Sequence, residues 1–220
     1  MTSEKSAPRL LGALFLIVVV TCALGTFSCT SPGTDAISSA TAALSIPAQS
    51  VPAGETKVLV ILAASPAGST GKVAKAIAEE LGARVVGPDQ ADVARFGDFA
   101  LVGFGSGIFH GEHHAALLAL ADRLPPAPHA RAFLFSTCGI PASFASPEVL
   151  VDYSRRNHAA LRERLRAKGY EIVGEFGCPG FNDNKFLKLF GGLNRGRPNA
   201  ADLGSAKLFA KGLKQHLSLP

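Results

Sequence analysis

The stretch from Lys57 to Leu81, KVLVILAASPAGSTGKVAKAIAEEL, limits what this chain can fold into more than any other. Val58, Leu59, Val60, Ile61 and Leu62 form an unbroken apolar run, the pattern of a strand covered on both faces in a parallel sheet. Ser65, Gly68, Ser69 and Thr70 come next, and Val73, Ala76, Ile77, Ala78 and Leu81 then recur near helical spacing. A helix therefore starts inside the loop. Its first turn offers unpaired N–H groups and a partial positive charge, so the loop is expected to hold a phosphate.

The alternation continues along the chain. Ala83 to Val86 reads as a short strand ended by Gly87-Pro88, and Pro88 to Phe96 is too short and polar for a full covering helix. Phe99 to Phe104 is the next buried strand; it runs into GSGIFHGEHH and a helix expected from Glu112 to Leu124. Arg131 to Phe135 is a fourth strand, followed by the loop STCGIPASFASP and a helix from Pro147 to Lys168. The charges of that helix, Arg155, Arg156, Arg162, Arg164, Arg166 and Lys168, read as a solvated face. Tyr170 to Phe176 is the fifth strand, and a last helix runs from Pro198 to Leu217 with Pro198 suited to its first turn. The pattern implies an α/β fold, a doubly wound five-stranded parallel sheet in three layers with right-handed crossovers. Ligands of such sheets bind beyond the carboxyl ends of the strands, where strand order reverses. Ala64 to Thr70, Gly103 to His113 and Ser136 to Ser146 all lie there, and they are the loops richest in Gly, Ser and Thr.

The first 56 residues have another character. Leu10 to Phe27 carries no charge and spans about 27 Å as a helix, close to the hydrocarbon thickness of a bilayer. Lys5 and Arg9 precede it, and no further Lys or Arg occurs until Lys57, so the positive-inside rule sends the rest of the chain across the membrane. A signal anchor, a cleaved signal peptide and a lipoprotein signal at Cys29 all share this pattern, against the plainer reading of a buried core helix. Residues 30–55, rich in Ser, Thr, Ala, Pro and Gly, read as a flexible linker, and the folded domain as 56–220 on the extracytoplasmic side. Net charge is +5, but Lys and Arg are scattered among acidic residues for most of the length. This favours mild attraction to anions and does not point to nucleic acid.

Two nucleotide readings of the loops fail. A P-loop needs Gly at 66 and Ser or Thr after the Lys, where Pro66 and Val73 stand. The dinucleotide fingerprint lacks its glycines at the first loop, and at the second Phe109 and His110 replace the third Gly.

From Lys57 to Leu217 the chain resembles the flavodoxin family, in particular its small single-domain members. Ser65-Pro66-Ala67-Gly68-Ser69-Thr70 is similar to the family's phosphate loop, although the family usually has Thr where Ala67 stands and Asn where Ser69 stands. Gly105-Ser106-Gly107-Ile108-Phe109-His110-Gly111 resembles the second flavin loop, with Phe109 as the aromatic cover of the ring. Ser136-Thr137-Cys138-Gly139 resembles the third. The resemblance implies strand order 2-1-3-4-5, FMN as cofactor, and cofactor contacts from Ser65, Ala67, Gly68, Ser69, Thr70, Ser106, Gly107, Ile108, Phe109, His110, Ser136, Thr137, Cys138 and Gly139. Phe109 stacked on the ring would exclude water and disfavour a charged reduced flavin. Arg195, Arg197, Lys185 and Lys188 read either as a surface for an acidic redox partner or a nicotinamide donor, or as solubilising loop charges. The run GCPGFNDNKFLKLFGGLNRGRPNAADL resembles a feature of a subgroup of the family, with no chemical role to carry over.

His110, Glu112, His113 and His114 crowd together without metal-ligand spacing, and Glu112 is explained as a helix-start acid; His113 or His114 is also a candidate for the flavin pocket. Cys138 and Cys178 sit at neighbouring strand ends, where an export-dependent disulfide or two separate thiols are both conceivable. The function implied is a membrane-associated FMN protein, an electron carrier or small reductase. The alternative is a flavodoxin-like scaffold without flavin that serves as an exported binding module. Hydrolysis lacks a nucleophile elbow and a recognisable triad.

Overall fold

The computed structural model describes residues 57–64, 68–182, 187, 189 and 191–219. The leader, the linker, Ser65, Pro66, Ala67, Lys185 and Lys188 lie outside the described residues. In chain order the elements are β1 (Val58–Ala63), α1 (Ser69–Leu81), β2 (Arg84–Val86), a short 3-10 helix (Val93–Asp98), β3 (Leu101–Phe109), β4 (Glu112–His113) and α2 (Ala115–Arg123). After them come β5 (Arg131–Cys138), a 3-10 turn (Ala142–Phe144), α3 (Pro147–Asn157), α4 (Ala159–Ala167), β6 (Glu171–Pro179) and α5 (Ala200–His216).

The sheet order is β2-β1-β3-β5-β6, all parallel, with β4 antiparallel to the end of β3. Setting β4 aside, this is the expected 2-1-3-4-5 order, and it reverses between β1 and β3. Alternate residues of each strand serve opposite layers. Val58, Val60, Leu62, Phe133 and Phe135 pack with Val73 and Ile77 of α1 and Ala206 and Ala210 of α5. On the other face Leu59, Ile61, Phe104 and Leu134 pack with Leu117 and Leu120 of α2 and Leu161 and Leu165 of α4. Each large side chain so buried contributes about 1.5–3 kcal/mol. This continuous core on both faces is what the apolar run at Val58 required.

The structure corrects several expected boundaries. β3 does not stop at Phe104 but continues to Phe109, and the chain turns at His110 and Gly111, with φ of 51° and 85°, to form a hairpin with β4. Positive φ at both central residues is what a two-residue hairpin turn requires. Glu112 is therefore a strand residue and not a helix-start acid. The helix begins at Ala115, where His114 Nδ1 accepts the N–H of Ala116. The long helix expected from Pro147 is interrupted at His158, whose ring is engaged by Ser136 and Glu175 of the neighbouring strands. β6 extends to Pro179. Pro198 precedes the last helix and is not in its first turn; Asn199 and Asp202 form a reciprocal capping box that fixes the start at Ala200.

Candidate functional site at the strand ends

At the carboxyl end of β1, Gly68 caps α1 in extended conformation (φ −75°, ψ 177°) with no side-chain hydrogen bond, and the first turn holds no acid. The starts of α2, α3 and α5 are instead satisfied by His114, Ser146 and Asn199. The first N–H groups of α1 thus have no side-chain partner among the described residues and carry the positive end of the helix dipole. Ser69 Oγ is committed elsewhere: it accepts the Phe181 N–H at 3.0 Å and contacts the Arg197 carbonyl at 3.4 Å. Thr70 is buried, its hydroxyl 2.7 Å from that of Thr137. This pair joins the first loop to the third.

The second group lies on β3 and its hairpin. A Cβ at Gly107 would stand 3.2 Å from the ring of Phe109 and 4.0 Å from Thr70 Oγ1, so these residues line one concave corner. Phe109 is 55% exposed, a large apolar ring left in water, and meets His114 edge-on at 5.6 Å. Ile108 is half-buried, and His110 is exposed in the hairpin turn. Ser106 is fully buried. Its Oγ accepts the His114 N–H at 3.0 Å and lies 2.8 Å from His113 Nδ1 and 2.7 Å from the Gly107 carbonyl, so the hydroxyl closes the hairpin.

The third group belongs to β5 itself. Ser136, Thr137 and Cys138 are its last residues, and only Gly139 lies beyond the strand, close to Asn182. Thr137 faces α1, whereas Ser136 and Cys138 face the α2–α4 layer. Cys178 is in register with Thr137, and Cys138 with Pro179. Being one residue out of step, the two cysteines point to opposite faces of the sheet, and they stand as separate buried thiols. Burial pushes the Cys138 thiol up, and that of Cys178 further. The loop after β5 exposes Phe144, 71% accessible, a second apolar ring that sequence reasoning passed over.

The C-terminal run acquires a role. Asn194, at φ 59°, donates from Nδ2 to the carbonyls of Ile140 (2.7 Å) and Gly180 (3.2 Å), and its Oδ1 accepts the Ala142 N–H (2.8 Å). With Ser69 held by Phe181 and Arg197, these residues tie the first loop to the third. Arg197 pairs with Asp202 at 2.6 Å and so belongs to this frame; Arg195 is exposed.

Sequence reasoning also missed a buried polar spine. His158, fully buried, has Nε2 2.8 Å from Ser136 Oγ and Nδ1 3.0 Å from Glu175 Oε2. Arg162 clamps both oxygens of Glu175, and His113 lies against His158 with ring centroids 4.6 Å apart. The order serine, histidine, carboxylate has the connectivity of a nucleophile, base and orienting acid. Ser136 is 0% exposed, however, and in this arrangement the three side chains brace β5, β6 and the α3–α4 junction against one another. Burial alone would raise the Glu175 carboxyl, but hydrogen bonds from His158 and Arg162 and their charges outweigh it and hold it at about 2. Burial, then the charge of His158, drives His113 well below 6.5 against the smaller pull of Glu175.

A family model described as "Flavodoxin domain" matches residues 60–168. "Uncharacterized protein MJ0298" of Methanocaldococcus jannaschii is 37% identical over 157 residues, which is 71% of this chain and 97% of the relative. Among solved structures, oxidised Flavodoxin 2 from Bacillus cereus superposes with a TM-score of 0.52 at 15% identity, covering 73% of this chain and 99% of that one. A WrbA-like flavodoxin from Agrobacterium tumefaciens gives 0.50 at 14% identity, covering 73% and 96%. At such identities the structures speak for the fold alone. Together with the family model and the close relative, the strand order and the loops at its reversal, they show that this chain belongs to the flavodoxin-like family.

Proposed function

We propose that the domain binds FMN at the carboxyl ends of β1, β3 and β5 and works as an electron-transfer protein. The observation that carries this reading is the uncapped start of α1, opening beside the Gly107 corner and the exposed Phe109. The residues present fit the group. Gly68 brings no side chain into the space before the α1 N–H groups, which suits a phosphate. Thr70 offers a hydroxyl already oriented by Thr137, and Phe109 and Phe144 offer apolar cover for a flat ring. FMN, when bound, supplies the capacity to accept and release electrons. The chain orients it, excludes water from one ring face, and sets the dipoles around it. The exposed Arg195 suits an acidic partner protein or a nicotinamide donor as the source of electrons. On sequence grounds, the apolar segment from Leu10 to Phe27 tethers or exports the domain, with its folded part on the extracytoplasmic side.

Equilibrium titration of FMN fluorescence tests this with one substitution. Gly68→Asp supplies the missing cap in a backbone conformation that Asp adopts freely, so the fold is retained, but it sets a carboxylate where the phosphate belongs. FMN affinity is expected to fall by about tenfold or more, the worth of a charge-assisted contact. Unchanged affinity would contradict phosphate binding at this helix start.

A further inference from the structure

At the opposite end of the sheet order, the outer side of β6 is paired with no other strand among the described residues. A groove of about 690 Å³ lies there, between α3, the end of β6 and the first turn of α5. Pro147, Leu150, Val151 and Phe176 form its apolar walls, and Val151 stands 69% exposed on its rim. This size and lining match a site for a small organic molecule.

Two observations define the ligand. Ser154, 4% exposed, is a lining residue of the groove, and its buried hydroxyl, which lies against Gly177 where no Cβ intervenes, has no hydrogen-bond partner among the described residues. A buried hydroxyl without a partner costs free energy until an acceptor arrives. The second is charge. Of the ionised side chains lining the groove, Arg162 is neutralised by Glu175 and Asp202 by Arg197, while Arg155 shares Asp152 with Arg156. Arg166 pairs with no carboxylate among the described residues. The groove therefore presents a guanidinium without a counter-charge, an apolar wall and one waiting hydroxyl.

We propose that this groove binds a small organic monocarboxylate with an apolar body and a second acceptor. Its carboxylate pairs with Arg166, its body lies on Leu150, Val151 and Phe176, and a carbonyl or hydroxyl oxygen takes the proton of Ser154. The planar guanidinium suits a carboxylate, and an uncharged analogue of the same shape loses that contact. The site is separate from the strand-end site and does not depend on flavin.

Calorimetric titration of the full chain with benzoylbutyrate, which joins a carboxylate, a short alkyl stem and an aryl ketone, tests the proposal. Saturable binding is expected, with the uncharged amide of the probe and the exposed-site variant Arg166→Gln each weaker by about tenfold. Ser154→Ala should weaken binding by about threefold or more, while leaving thermal stability unchanged or higher, because the hydroxyl has no partner to lose. Saturating FMN should not alter the affinity. Absence of saturable heat, equal binding of the amide, unchanged affinity in both variants, or displacement by FMN would each overturn it.

Discussion

Glu175, held ionised, and His113, held neutral, belong to one buried cluster, and each makes stability depend on pH in its own window. The folded carboxyl of Glu175 sits at about 2 against an ordinary 4.5. Between those values the unfolded chain binds a proton that the folded chain refuses, so the contribution is full above about 4.5 and is lost as pH falls toward 2. His113, held neutral well below 6.5, works in the same direction from a higher start: below 6.5 only the unfolded chain is protonated there. Thermal melts should show a midpoint that begins to drop near pH 6.5 and falls more steeply below 4.5. His113→Asn should remove the upper slope. Glu175→Gln should remove the lower one and cost about 2 kcal/mol at neutral pH, less than a fully enclosed pair because Glu175 is partly open to water. A wild-type profile flat from pH 7 to 5 would contradict the buried neutral state of His113. None of this was legible in the sequence. Arg162 and Arg166 sit in a helix crowded with charge that reads as solvated, and the partner of His158 lies on the next strand, where no local spacing reveals it.

At the scale of elements, the glycines of β3 show why a loop was expected where a strand runs. Gly103 and Gly105 point toward the α1–α5 layer, and a Cβ on either would collide with the rings of Phe133 and Phe135 from β5. The strand is glycine-rich because its neighbour is aromatic on that face. A string such as GFGSGIFHG carries no apolar–polar alternation to announce this, since four of its nine positions have no side chain. Gly105→Ala should therefore destabilise the domain by about 2–3 kcal/mol, as overpacking of a filled core does. Gly97→Ala, where nothing lies within 4 Å, should be near neutral in the same urea titrations. Equal midpoints for the two variants would contradict the ring-on-glycine packing. By contrast, the run at Val58 and the helix after Gly68 were fully legible, because a buried parallel strand and an amphipathic helix each write their period into the sequence.

Across the whole molecule, strand order followed from the alternation of strands and helices together with the resemblance, and the structure bears it out with one added hairpin strand. The framework that joins the loops was not legible. Asn194 reaches three backbone groups, two of them on a segment more than fifty residues away, and Ser69, expected at a phosphate, is held by residues after β6. Among the described residues, what remains free at the strand ends is the uncapped start of α1, the Gly107 corner and two exposed rings. The proposed function joins these features through one flat, phosphorylated molecule. The most direct measurement is the flavin absorbance of the purified full chain after incubation with FMN and removal of unbound flavin. One FMN retained per chain, with riboflavin, which lacks the phosphate, washing out, is the expected result. A colourless chain, or riboflavin retained as well as FMN, would contradict it.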